Sequence, residues 1–333
     1  MYIASENRYQ EMIYSRCGDS GLKLPRVSLG LWHNFGSNAK EDDIKDIIFT
    51  AFDNGITHFD LANNYGPYPG AAESNFGRLL SSHLKNYRDE LIISTKAGYE
   101  MYPGPYGDGG SRKYLFASLD QSLKRLNLDY VDIFYHHRMD KSTPLEETML
   151  ALADIVRSGR ALYVGLSNYD GKTLEEANEI LTRLNVPFII NQNSYNLFNR
   201  TIEKNGLKET SYRLRKGIIS FSPLAQGLLT DRYIDGIPND SRAASSSKFL
   251  NSEDITVQKL DVIKKLNAHA LQRGETLSEM ALKWVLKDDK VTSVLVGVSK
   301  SSQLLKNIKA ASGNLFTLDE LNIIEEIVKP VVY

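Results

Sequence analysis

The chain has 333 residues, of which 42% are hydrophobic and 24% charged, and its net charge is −1. That balance is ordinary for a globular protein and offers no general attraction to nucleic acid or anionic lipid, so any anion site must be local. The single cysteine, Cys17, excludes an intramolecular disulfide and a cysteine-based zinc site. No run of about 18 apolar residues is available to span a membrane, and the opening MYIASENRYQ lacks the basic-then-apolar layout of a signal peptide. A cytoplasmic location without membrane insertion is the resulting expectation.

In chain order, residues 14–25 (YSRCGDSGLKLP) read as a β-hairpin with Gly18 to Gly21 in its turn. Short β-rich runs then alternate with amphipathic segments. The strand candidates are RVSLGLW (26–32), ITHFDLA (56–62), ELIISTK (90–96), DYVDIFYHH (129–137), ALYVGLS (161–167), FIINQN (188–193), GIISFSP (217–223) and TSVLVG (292–297). After the first, DDIKDIIFTAFDNG sets Ile44, Ile47, Ile48, Ala51 and Phe52 on one helical face, with Gly55 as its C-cap. After the fourth, TPLEETMLALADIVRSG predicts a helix capped by Thr143, with Pro144 at its first position and Gly159 at its end. After the last, SSQLLKNIKAA opens on serines and reads as a helix.

Eight strand–helix units at about 30-residue spacing predict a closed (β/α)8 TIM barrel, an α/β fold in one domain over residues 1–333. An open doubly wound sheet is the competing arrangement. It usually carries G-x-G-x-x-G after its first strand, where HNFGSN stands here. Residues 224–275 form a long loop insertion after strand 7, and the polar stretch PNDSRAASSSKF within it reads as part of a lid over the mouth.

Barrel enzymes build their sites where strands end. Those ends read FDLANNYGPY, STKAGY, YHHRMD, GLSNY, NQNSYN and SPLAQG, dense in ionisable and amide groups. Lys96 closes an apolar strand, which is costly unless the ammonium is paired. A salt-bridged lysine, a Schiff-base nucleophile and a charge that tunes a neighbour all fit. Asp60 ends the adjacent strand, and Tyr65 follows it by five residues. An ammonium beside a phenol lowers its pKa, so this cluster would be a tuned proton donor to a carbonyl oxygen. A neutral imidazole from the His136–His137 pair could hold the same oxygen. Adjacent strand residues face opposite ways, so only one of the two can point to the mouth. The set suits carbonyl reduction but supplies no hydride, which requires a cofactor.

Other features read as structure. YRLRK (212–216) has a Tyr-x-x-x-Lys spacing without a companion glycine-rich start, and His33, His58, His83 and His269 show no metal-ligand spacing. YPGPYGDGGSR (102–112) is either an anion cradle or a glycine-rich surface loop.

GITHFDLANNYG, LIISTKAGY, LNLDYVDIFYHHR, GLSNY, NQNSYN, FSPLAQGLLT and SVLVGVSKSSQLLKN together resemble the aldo-keto reductase superfamily along nearly the whole chain. Within it, the chain is similar to the potassium-channel β-subunit-like branch. DLANNYGPYPGAAESNFGRLL, KAGYEMYPGPYGDGGSRKYL and LAQGLLTDRYIDGIPNDSR resemble bacterial L-glyceraldehyde 3-phosphate reductases. The resemblance implies a catalytic tetrad of Asp60, Tyr65, Lys96 and His137. Tyrosine would be the general acid, tuned by lysine and aspartate, and histidine would orient the carbonyl. Some channel β-subunits carry asparagine at the histidine position, and the histidine here favours turnover.

The resemblance also implies an extended NADPH (NADP+ when oxidised) and no metal. Ser167, Asn168 and Gln192 would take its carboxamide, and Ser222, Pro223, Leu224 and Gly227 would run along the pyrophosphate. Gly297, Ser299, Lys300, Gln303 and Asn307 would take the adenosine and 2′-phosphate, with Arg232 and Arg242 covering the phosphates. Lys300 stands where relatives often have arginine. Trp32 would border the active site. The implied substrates are small aldehydes or ketones, such as a triose phosphate or methylglyoxal. The alternative role is a nicotinamide-binding regulatory subunit of a membrane channel. A homo-oligomer, tetramer or larger, is implied by analogy.

Overall fold

In the computed structural model, which describes residues 2–238, 243, 250–311, 313 and 316–332, the eight apolar runs are parallel strands closed on themselves. A two-stranded antiparallel hairpin, β1 (Tyr14–Arg16) and β2 (Lys23–Pro25), precedes them. The barrel strands are β3 (Val27–Gly30), β4 (His58–Asp60), β5 (Ile92–Ala97), β6 (Val131–His136), β7 (Ala161–Ser167), β8 (Phe188–Ser194), β9 (Gly217–Phe221) and β10 (Ser293–Val296). Closure comes from β10, which pairs with both β3 and β9.

Helices cover the outside: α1 (Glu41–Asp53), α2 (Ala71–Leu79), α3 (Arg112–Leu126), α4 (Leu145–Arg157), α5 (Gly171–Arg183), α6 (Thr201–Lys204), α7 (Leu207–Arg213), α8 (Val257–Gln272), α9 (Leu277–Val285), α10 (Ser301–Ala311) and α11 (Leu318–Val328). Helix α1 buries Ile44, Ile47, Ile48, Ala51 and Phe52, the face expected from the spacing, and its first turn is acidic, as the helix dipole favours. Among the described residues no helix is long and apolar enough to cross a membrane.

Two local expectations are corrected. Helix α4 starts at Leu145, so Pro144 stands at the N-cap rather than at the first helical position. Thr143 does not cap it, because its hydroxyl donates to the Asp140 carboxylate at 2.7 Å. The insertion after β9, the seventh barrel strand, is also not all loop. It holds the 16-residue helix α8, capped by Thr256, with Val262, Ile263, Leu266 and Ala270 buried. That helix was legible as a cap followed by 3–4 spacing. Residues 239–242 and 244–249, which include Arg242 and most of the proposed lid, lie outside the described residues.

The two ends of the barrel differ in chemistry. Inside, Ile92, Ile133, Tyr135, Ile190, Ile219 and Leu295 form an apolar cluster joined by Cys17 and Leu24 of the hairpin segment. The Cys17 thiol lies 3.4 Å from the Ile189 carbonyl oxygen, near the start of β8, so the hairpin plugs the end where strands begin. Burial pushes that thiol well up, and it stays protonated. A buried polar set, Ser28, His58 and Ser293, is hydrogen-bonded inside the barrel near the strand starts, and the residues expected to carry chemistry stand at the opposite end, where strands finish. Between these layers Tyr135 lies against Gly165, its partner across β6 and β7. A Cβ on Gly165 would meet the Tyr135 ring at 2.3 and 2.4 Å. We expect Gly165→Ala to destabilise the protein by about 1–3 kcal/mol through overpacking. A urea titration checks this, and an unchanged midpoint would show that the ring can move aside.

Candidate active site

Three neighbouring strands deliver the central groups. Parallel pairing sets Asp60 beside Ser94, and Lys96 beside Tyr135. Asp60 Oδ2 accepts from Lys96 Nζ at 2.5 Å, while Oδ1 accepts from Ser94 Oγ at 2.7 Å and Gln192 Nε2 at 3.1 Å. Lys96 Nζ also donates to the Leu61 carbonyl at 2.5 Å. Both charged side chains have 0% exposure. Removing either partner of such a pair would leave a bare buried charge, at a cost of about 3–5 kcal/mol.

Tyr65, in the turn after β4, sits over this pair with its ring centre 5.0 Å from Lys96 Nζ. Its ring lies 6.0 Å from that of His137 and 5.9 Å from that of Trp32. His137 follows β6, and its backbone is clamped. Its N–H donates to the Ala97 carbonyl at 2.9 Å, and its carbonyl accepts from Asn168 Nδ2 at 3.0 Å. Gly98 makes that approach possible. Its φ is +152°, and a Cβ there would stand 3.1 Å from the His137 backbone nitrogen.

The histidine doublet splits between two faces. Ile133 and Tyr135 belong to the barrel interior, in phase with His137, whereas His136 hydrogen-bonds Tyr169 at 2.7 Å in the layer between strands and helices. His136 is pushed down to about 4 by burial. His58 instead lies inside the barrel, bonded to Ser28 and Ser94 at 2.9 Å each. Among the described residues no group of three or more His, Cys, Asp or Glu could hold a metal ion.

The electrostatics differ from the sequence expectation at one point. Burial, and then Asp60, push the Tyr65 phenol well above its ordinary range rather than below it. The reason is that the phenol is buried, which disfavours the phenolate, and that the Asp60 carboxylate lies beside the Lys96 ammonium. Burial lowers Lys96, opposed by Asp60. His137 is held well below its usual value by burial and then by the Lys96 charge, so its imidazole is neutral.

The residues expected around a dinucleotide follow the ends of β7, β8, β9 and β10. Ser167 is buried at the end of β7, and Asn168 turns into the left-handed region at φ +57°. Gln192 commits one amide hydrogen to Asp60. After β9, Ser222, Ala225 and Gln226 are all left-handed non-glycine residues, followed by Gly227 at φ +98°. Such positions cost about 1–3 kcal/mol each and gather at ligand sites. Gln226 Nε2 bonds Ser222 Oγ at 3.0 Å, Pro223 is buried, and Leu224 packs partly against the core. Arg232 is exposed on a short turn.

At the far end Gly297 faces open space, with only the Gly30 carbonyl near a built Cβ, at 3.9 Å. Ser299 is tied by its N–H to Gln303 Oε1 at 3.0 Å, Lys300 is exposed just before α10, and Asn307 is buried on that helix. Amide and hydroxyl groups near the tetrad, a strained loop beyond them, and a helix N-terminus with a lysine at the end suit an extended anionic dinucleotide. Trp32 packs its ring against those of Tyr65 and His33.

Sequence reading missed Ser94 and Tyr99. Ser94 is two residues before Lys96, so alternation places both on the inner face of β5, a signal that could have found it. Tyr99, 4.7 Å from the His137 ring, comes from a loop without periodicity. We expect His137 to give neutral-imidazole signals in nitrogen-15 NMR at a pH where an ordinary histidine is largely protonated. A midpoint near the usual value would contradict the buried placement.

Residues 26–329 match the model of the aldo/keto reductase family. The chain is 54% identical over 329 residues to the L-glyceraldehyde 3-phosphate reductase of Escherichia coli strain K12, covering 98% of this chain and 95% of that one. It is 36% identical over 302 residues to a probable voltage-gated potassium channel subunit beta of Arabidopsis thaliana, covering 90% and 91% of the two chains. A putative subunit beta of Schizosaccharomyces pombe is 34% identical over 302 residues, covering 88% and 86%. A closed barrel with its polar groups gathered at the strand ends, and identity that runs across almost the whole chain, make this protein an oxidoreductase of the aldo/keto reductase family.

Proposed function

We propose that the protein reduces small aldehydes to alcohols with NADPH. Its substrates on this reading are triose phosphates such as L-glyceraldehyde 3-phosphate, together with methylglyoxal. The observation that carries the reading is the buried Lys96–Asp60 pair beneath Tyr65, beside a neutral His137. The substrate oxygen would sit between the Tyr65 hydroxyl and the His137 ring. His137 orients the carbonyl by hydrogen bonding without competing as an acid.

Tyr65 keeps its proton through neutral pH because its phenol is raised, so it is a loaded donor. As the carbonyl carbon is reduced, the oxygen becomes an alkoxide, a stronger base than a phenolate, and takes that proton. The Lys96 ammonium then faces the new phenolate and stabilises it. Lys96 itself is held by Asp60 and the Leu61 carbonyl, which disfavours a Schiff-base role.

NADPH, when bound, supplies the hydride. Ser167, Asn168 and Gln192 would hold its nicotinamide end, Ser222 to Gly227 its middle, and Ser299, Lys300, Gln303 and Asn307 its phosphorylated end, with Arg232 and Arg242 covering. The relatives named as channel subunits favour a second reading, a cofactor-binding regulatory subunit. Rapid steady-state NADPH oxidation with small aldehydes separates the two. We further infer one barrel domain over residues 1–333 that assembles as a cytoplasmic homo-oligomer of four or more copies, which sedimentation tests.

Tyr65→Phe should cut turnover by about 100-fold or more, the range of general acid catalysis, while NADPH binding by fluorescence titration is retained. Near-normal turnover in that variant would remove the acid role. His137→Ala should impair reduction far more than His136→Ala. The opposite order would mean that His136 is the residue at the mouth.

A further inference from the structure

We infer that Arg138, carried on the face of Tyr99, is the anion-binding group that selects phosphorylated aldehydes at this mouth. The inference rests on the reading of the mouth as a carbonyl-reducing site. Arg138 directly follows His137, and its guanidinium carbon lies 5.1 Å from the centre of the Tyr99 ring. The same ring makes a T-shaped contact with His137, its centre 4.7 Å from that of the imidazole. A permanent positive charge therefore stands one aromatic ring away from the imidazole assigned to the carbonyl. Lys96 cannot serve a substrate phosphate, because Asp60 and Leu61 hold it inside the barrel.

Asp108 already occupies Arg138 as an anion would. One nitrogen, Nη2, donates to both Asp108 oxygens, at 2.8 and 2.9 Å. That geometry spends a single nitrogen on a carboxylate, and Nε is buried without a partner. A phosphate monoester brings three acceptor oxygens and nearly two charges, and can engage donors that Asp108 leaves unused.

The exchange is cheap for the protein. The Arg138 and Asp108 side chains are 32% and 42% exposed, and pairs this open to water contribute little. The glycine-rich loop that carries Asp108 is anchored independently. Gly110 N–H donates to Asp140 at 2.8 Å, its carbonyl accepts from Thr148 at 2.9 Å, and the Tyr99 carbonyl accepts from Tyr114 at 2.5 Å. Freeing Asp108 to water leaves that framework standing. Residues 98–112 are thus the frame of a phosphate subsite, and the cradle is formed by a side chain rather than by glycine amides.

The test compares L-glyceraldehyde 3-phosphate with L-glyceraldehyde, which differ only by the phosphate. In the full-length protein, Arg138→Gln should raise KM for the phosphorylated aldehyde and lower its kcat/KM relative to the free aldehyde by about tenfold or more, the loss of a charged hydrogen bond. Arg138→Lys should recover part of that ratio. Equal losses on both aldehydes, or an unchanged ratio, would overturn the inference. Glycerol 3-phosphate, which has no carbonyl, gives a readout free of turnover. Its calorimetric affinity should fall by a similar factor in Arg138→Gln, and an unaltered affinity would also overturn the assignment. If the wild type reduces neither aldehyde, the carbonyl-reduction reading fails while the glycerol 3-phosphate arm still decides Arg138.

Discussion

A lysine ammonium with no exposed surface, held against an aspartate that is equally buried, is the constraint on which the rest of the mouth depends. Neither ion is tolerable alone at that depth, and their attraction offsets desolvation only when the remaining lone pairs and protons are also satisfied. Here they are: Asp60 takes three donors, from β5 twice and from β8 once, and Lys96 takes a backbone carbonyl as well. The pair therefore ties opposite parts of the barrel ring together around one charge-neutral knot. A substitution at any of these partners acts on the whole knot.

That neutrality sets the protonation of the neighbours. An isolated ammonium would have drawn the Tyr65 phenol toward ionisation; a compensated one leaves burial and Asp60 to dominate, and the phenol keeps its proton. The same enclosure, with Lys96 adding to it, keeps His137 uncharged. Burial thus produces a protonated phenol and a neutral imidazole side by side, the combination that a carbonyl reductase needs in its reductive direction.

The barrel's two ends show how the chain divides stability from chemistry. The hairpin and the apolar inner cluster fill the end where strands begin, and Tyr135 over Gly165 closes the layer beneath the ion pair. The groups proposed for chemistry gather where strands finish, along β4 to β6 for the proposed tetrad and along β7 to β10 for the groups proposed to hold the cofactor. The glycine-rich loop at 98–112 belongs to the first set through Tyr99 and Asp108.

Much of this was legible in the chain itself. Alternating apolar runs and caps determined the strands, the hairpin and the face of α1, because period and turn chemistry are local properties. Motif spacing placed Asp60, Lys96 and a histidine pair at strand ends; alternation left the choice within the pair open, and the family resemblance implied His137. Helix α8 was readable but hidden inside a stretch taken as loop. Only the tertiary structure decided the rest. It showed that the Tyr65 phenol is buried with Asp60 close by, which reverses the shift expected from Lys96, and that Gln192 crosses from β8 to Asp60. It also showed that Arg138 meets Tyr99 and Asp108 from another loop. Each of these joins residues from separate strands or loops, and no period along one segment reports a distance between two.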